Sequence, residues 1–254
     1  MNKRKNKKSG FTLIELLTVI TIIGILFGLA FTGADVALTA AAKAEASNNM
    51  KNILQAYISF QNDNGGGIID DLEGEEMVDT SADDLPTLSG SGTNHTWAAI
   101  LAQFQRVMND ANLYMIDRDK TAKRINKRHN AQVILDPTDE EKRTMDQKFQ
   151  DSMLSFNMFV GLEESEAFGA GKTPVIYTAG YNATEGEWDK DAPHGRSGGH
   201  IGFLDGSVTH YKRIREEDFY RNDDPSQNTM DFSQAVYGLP LGHSGVDSLD
   251  GERE

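Results

Sequence analysis

The feature that most constrains this chain is an apolar run from Phe11 to Phe31, reading FTLIELLTVITIIGILFGLAF. It has 21 residues and one charge, Glu15. Wound as an α-helix it spans about 32 Å, at roughly 1.5 Å per residue, which matches the core of a bilayer. A basic block precedes it: Lys3, Arg4, Lys5, Lys7 and Lys8. That asymmetry predicts a cytoplasmic N-terminus, with the body of the chain on the far side of an inner membrane. A secretory signal is the rival reading. Its apolar region is shorter, about 7–15 residues, and ends at a small-residue cleavage site. Small residues do follow here, at Ala40–Ala42, but a secretory signal has no use for a carboxylate so early in the run.

That carboxylate needs a physical reason. An acid within an apolar span costs about 2.5–3.5 kcal/mol at mid-bilayer, less near the edge, and usually has a partner. A cut between Gly10 and Phe11 would give Phe11 a free α-amine about one helical turn from Glu15. The carboxylate could then pair with its own amine or with that of an adjacent subunit.

At these residues the sequence resembles a known family. Lys8-Ser9-Gly10-Phe11-Thr12-Leu13-Ile14-Glu15-Leu16-Leu17 is similar to the prepilin cleavage and methylation motif of type IV pilins and type II secretion pseudopilins. The resemblance implies that a prepilin peptidase cuts after Gly10 and that the new terminus, Phe11, is N-methylated. It implies that Glu15 assists assembly by neutralising the terminal amine of a neighbour. The implied partners are copies of the chain itself, other pilins, the inner-membrane assembly machinery and membrane lipid. The implied function is a structural subunit of a pilus or pseudopilus, and not an enzyme.

Helical patterning continues past the apolar run. After the Ala-rich stretch 37–46, apolar residues recur at Met50, Ile53, Leu54, Tyr57 and Ile58, the spacing of one helix face. Asn62-Asp63-Asn64-Gly65-Gly66-Gly67 then breaks the pattern. The expectation is a leader over 1–10, one membrane and shaft helix over 11–62, and a globular head over 63–254. The head lies outside the membrane.

Charge limits what that head can bind. Removing the first ten residues takes away five bases and no acid, leaving 20 basic and 39 acidic side chains and a net charge of −19. Such a body has no electrostatic basis for holding nucleic acid or an anionic membrane surface. The acids gather in a Gly-, Ser- and Asp-rich segment, 64–94, with Asp70, Asp71, Glu73, Glu75, Glu76, Asp79, Asp83 and Asp84. This reads as a solvated loop. If it bound a cofactor, that would be Ca²⁺, although the acids lack the spacing of a cation loop. In that alternative the chain is a minor tip subunit or adhesin, its acidic head engaging a ligand. The absence of Cys removes disulfides and thiolate chemistry.

Within the head, Trp97, Ile100, Leu101, Phe104, Val107 and Met108 predict a second helix, with Thr96 at its N-cap. A basic patch follows: Arg118, Lys120, Lys123, Arg124, Lys127, Arg128 and His129. From Ala131 on, short β-prone runs dominate, at 133–135, 155–160 and 175–177. The clearest hairpin is Ile201–Leu204, then Asp205-Gly206, then Ser207–Tyr211. An Asp-Gly pair there predicts a two-residue type I′ turn. The predicted fold class is therefore α+β and pilin-like, a long N-terminal helix packed on an antiparallel sheet.

The hairpin carries a weaker resemblance. Gly198–Val208 is similar to the C-terminal motif of a pilin-like branch abundant in planctomycetes and verrucomicrobia. In that branch a spacer of nine residues separates a His from an Asp-Gly turn; here ten lie between His194 and Asp205. Leu135–Asp139 and Ser155–Met158 are similar to other segments of the branch, in the same order.

Catalytic motifs are sparse. Gly169-Ala170-Gly171-Lys172-Thr173 has the end of a phosphate-binding loop, but the loop's first glycine would stand at Glu166. His194, His200, His210 and Asp205 cluster in sequence, and His200 and His210 are placed to face each other across the hairpin. A metal or acid/base reading of that group, as in a membrane-anchored enzyme, competes with plain hydrogen bonding at a sheet edge.

Overall fold

A computed structural model describes residues 11–63, 94–120, 132–136, 145–150, 152–159, 170–221, 224 and 226–230, with the side chains of 29–35, 96, 150 and 170 excepted. The leader, the acidic segment 64–93 and the basic residues 123–129 lie outside them.

Helix α1 runs from Leu13 to Asp63, 51 residues, and stops at the predicted breaker. The chain divides into two compact units, Met1–Ala41 and Ala42–Glu254. In the first, every residue from Phe11 to Gly28 is exposed. Ile14 is 72% exposed, Ile20 58% and Phe27 61%, so this stretch has no core of its own. Its threonines hide their polarity. Thr18 Oγ1 donates to the Ile14 carbonyl (2.8 Å) and Thr21 Oγ1 to that of Leu17 (2.7 Å). Such back-bonding lets a hydroxyl sit in an apolar helix without an unmet donor. Among the described residues no helix is long and apolar enough to cross a membrane. The expected span runs on through residues whose side chains fall outside the description.

In the second unit the face foreseen from periodicity is buried. Ala46, Met50, Ile53, Leu54, Tyr57 and Phe60 are all closed to solvent. Ile58 is only partly so. Helix α2, Asn94–Phe104, lies against this face. Trp97 stacks on Tyr57 with ring centroids 5.2 Å apart, and Phe104 meets Phe60 edge to face. Two details differ from expectation. Thr96 lies inside α2 and not before it. Val107 is exposed, because the backbone tightens into a 3-10 turn at Arg106–Asn109 and rotates that side chain out of the apolar face.

The main sheet is antiparallel, in the order β1 (Phe156–Met158), β2 (Pro174–Thr178), β5 (Gly199–Phe203) and β6 (Val208–Tyr211). Two small ribbons flank it: β3 (Tyr181–Asn182) with β4 (Glu187–Trp188), and β7 (Phe219–Tyr220) with β8 (Asn228–Thr229). The run 133–135 forms only an isolated bridge, Ile134 to Met145. Strands β2 and β5 are buried along their whole length. Helix α1 closes one side of β5, and Gly202 makes the fit: a Cβ there would stand 2.6 Å from Leu54 Cδ1 and 2.7 Å from Ile176 Cγ2. The long N-terminal helix and the antiparallel sheet make this the expected α+β, pilin-type architecture.

Candidate functional site

The first candidate is the start of α1. Gly10 lies outside the described residues. Phe11 lies before the helix and is 75% exposed. Thr12 is the residue before the helix, and Glu15 is its third helical residue. The Thr12 N–H donates to Glu15 Oε2 (2.8 Å), and the Thr12 hydroxyl donates to the same oxygen (2.7 Å). In return the Glu15 N–H donates to Thr12 Oγ1 (3.3 Å). This reciprocal pattern is a capping box, which satisfies two of the donors a helix N-terminus leaves open. It also puts a negative charge at the positive end of the helix dipole. Before cleavage, then, Glu15 already has a local partner. The Thr-x-x-Glu spacing that announces this box was present in the sequence and went unused there.

The second candidate is the hairpin. Asp205 and Gly206 do form its turn, but the loop has three residues, not two. The Phe203 N–H donates to the Ser207 carbonyl (2.9 Å), and the Gly206 N–H donates to the Phe203 carbonyl (2.9 Å), so Leu204, Asp205 and Gly206 make the reversal. A type I′ turn needs positive φ at both central residues. Gly206 has φ 82°, but Asp136 is the only non-glycine with positive φ among the described residues, which corrects the type I′ assignment. Asp205 serves differently, its Oδ1 accepting from the Ser207 N–H (2.8 Å).

The extra loop residue matters for the histidines. A two-residue Asp205-Gly206 turn would set His200 opposite Tyr211. The three-residue loop slips the register by one, and His200 pairs with His210. The two rings meet edge to face at 4.9 Å between centroids, and His194 meets His200 the same way at 5.4 Å. His194 comes from the turn before the 3-10 segment Gly195–Ser197, which is tied to α1 by Lys43 Nζ donating to the Ser197 carbonyl (3.3 Å). Both nitrogens of His194, Nδ1 of His200 and Nε2 of His210 are buried with no hydrogen-bond partner among the described residues. Burial pushes His194 down to about 4 and His200 to about 3, with Lys43 and the other rings adding to it. Burial also lowers His210. These are neutral imidazoles at pH 7. Among the described residues no three His, Cys, Asp or Glu side chains are placed to hold a metal ion. Asp205 does not join the rings; it is exposed at the loop.

The remaining predicted features separate. Lys172 lies in a 3-10 turn that has no phosphate-loop helix behind it. His95 sits apart from the cluster, its Nε2 bonded to the Ser152 carbonyl (2.9 Å). Arg118 is described, but the other arginines and the histidine of the basic patch are not.

The comparison with protein families bears on the first candidate. The model of the prokaryotic N-terminal methylation motif matches residues 5–31, which takes in Lys5, Lys7 and Lys8 of the basic block, Gly10, Phe11, the capping box and the apolar run. This is the prepilin-type motif that type IV pilin-like proteins carry. No curated protein and no solved structure gives a significant match. The motif implies prepilin-peptidase processing and assembly with other pilins. Its head is described by the geometry above alone.

Proposed function

We propose that this pilin-like chain is a structural subunit of a pilus or pseudopilus filament, serving a type II secretion or type IV pilus system. The observation that carries the reading is the pairing of a methylation motif with a helical segment whose apolar side chains, among the described residues, are exposed. Exposed apolar surface on this scale marks a site for lipid or for other protein. In the precursor, residues 11–31 sit in the inner membrane, with the leader cytoplasmic and the head periplasmic. Prepilin peptidase cuts after Gly10, Phe11 is N-methylated, and the assembly machinery moves the segment from lipid into a bundle of equivalent helices. There the free amine of Phe11 competes for Glu15 with the donors of Thr12 that cap the helix. The hairpin motif supports placing the head with the planctomycete and verrucomicrobial branch.

The test is the mature terminus. Mass spectrometry of the purified protein should find Phe11 as the first residue, heavier by one methyl group. An intact Met1, or a cut near Ala42, would refute the reading.

A further inference from the structure

Beyond the filament role, and independent of it, the histidine cluster has the chemistry of a pH-dependent contact. Three elements meet there: α1 through Lys43, the turn 194–197, and the β5–β6 hairpin. Among the described residues the charged groups that face the rings are Lys43 from α1, and Arg118 and Asp119 from the segment after the 3-10 turn Ala111–Tyr114. Two are cations. The one carboxylate, Asp119, is fully buried and its Oδ2 already accepts from Ser155 Oγ (2.8 Å). A proton added to any ring therefore meets more positive than negative charge, in a place with little water to screen it. The four unpartnered nitrogens say the same in another way, since no acceptor stands ready for an imidazolium N–H.

We propose that His194, His200 and His210 form a proton-sensitive latch, which holds the 194–197 turn and the β5–β6 hairpin on α1 while the rings are neutral and frees them when the rings are protonated. The rings pack like small aromatics at neutral pH, edge to face. Protonation places two or three cations within one cluster, beside the Lys43–Ser197 bond that ties the turn to the helix.

The sign follows from linkage. Each ring binds its proton less well in the folded chain than in the unfolded one, whose histidines titrate near 6.5. Between the two values the unfolded chain holds more protons, so stability is full above about pH 6.5 and falls as pH drops toward 4. Each such ring lowers the folding equilibrium constant by up to tenfold per pH unit in that window.

The experiment is urea unfolding of the full-length, processed protein in detergent at pH 7.5, 6, 5 and 4, followed by tryptophan emission. Trp188 is the local reporter, because its ring packs against Gly199 of β5 and its Nε1 donates to the Thr178 carbonyl (2.8 Å). Carboxylates also titrate in this range, so the quantity read is the difference between wild type and His200→Phe. The phenyl ring keeps the edge-to-face packing and cannot take a proton. His200→Phe should match wild type at pH 7.5 within a factor of three. Between pH 6 and 5 wild type should lose about tenfold more of its folding constant than the variant. Wild type should also show a red shift of emission in acid before urea is added, and His200→Phe should not. Should the variant fail to fold, the less buried His210→Gln is measured in its place, with the same outcome expected. Equal pH slopes in wild type and both variants would overturn the latch. So would a large loss at pH 7.5 in both His200→Phe and His210→Gln, which would mean the rings make needed hydrogen bonds. Stabilisation by Zn²⁺ at pH 7.5 that His200→Phe abolishes would assign the nitrogens to a metal and overturn it equally.

Discussion

Gly202→Ala adds a single methyl group at the place where the sheet meets the shaft helix. The new Cβ would lie 2.6 Å from Leu54 Cδ1 and 2.7 Å from Ile176 Cγ2. Carbon atoms in contact prefer about 3.5–4.0 Å, so both neighbours must retreat by about 1 Å. Neither has room, since Leu54 and Ile176 are fully buried. Overpacking of this kind costs about 1–3 kcal/mol. Stiffening the unfolded chain returns about 0.4–1 kcal/mol, which leaves a net loss of about 1–2 kcal/mol. A double-mutant cycle separates the clash from other effects. Leu54→Ala alone should cost about 2–5 kcal/mol, through lost burial and the cavity it leaves. In that background the methyl added at position 202 gains space, and Gly202→Ala should become neutral or stabilising. The coupling between the two should therefore be about 1 kcal/mol or more. Urea titration of the four proteins, read by the emission of Trp97 and Trp188, measures it; both rings are buried. Additive costs, or a Gly202→Ala protein within about 0.5 kcal/mol of wild type, would show that the helix does not press on β5 as described.

Two further outcomes are expected. Gly206→Val should destabilise the head by about 1 kcal/mol or more, because a β-branched residue resists the positive φ that closes the three-residue loop; thermal melting unchanged from wild type would remove Gly206 from that role. Glu15→Gln keeps an acceptor for the Thr12 N–H and so keeps the cap while losing the charge, whereas Glu15→Ala loses both. Both should leave cleavage after Gly10 intact, confirmed by mass, and both should lower the number of filaments counted by electron microscopy. Normal assembly in both would end the proposal that Glu15 neutralises an incoming amine.

The sequence by itself determined much of what depends on near neighbours along the chain. The apolar run, its basic flank and the Gly10-Phe11-Glu15 motif are local patterns, and helix periodicity picked out Met50, Ile53, Leu54 and Tyr57 as the buried face of α1. The end of that helix was legible too, because a cluster of Asn, Asp and Gly stops helices through backbone preferences alone. What the sequence left open depended on distance in the chain. The register of β5 on β6 turns on one loop residue, and Asp-Gly is compatible with either loop. Val107 continues the helical pattern, yet its helix ends three residues earlier, since α2 packs only as far as Phe104 meets Phe60. The two short ribbons, β3–β4 and β7–β8, carry too few residues for any period to show. The three histidines were adjacent enough in sequence to be noticed, but their character was not in the sequence. Only the tertiary structure buries them, leaves four of their six ring nitrogens without a partner among the described residues and brings Lys43 across from a helix 154 residues before Ser197.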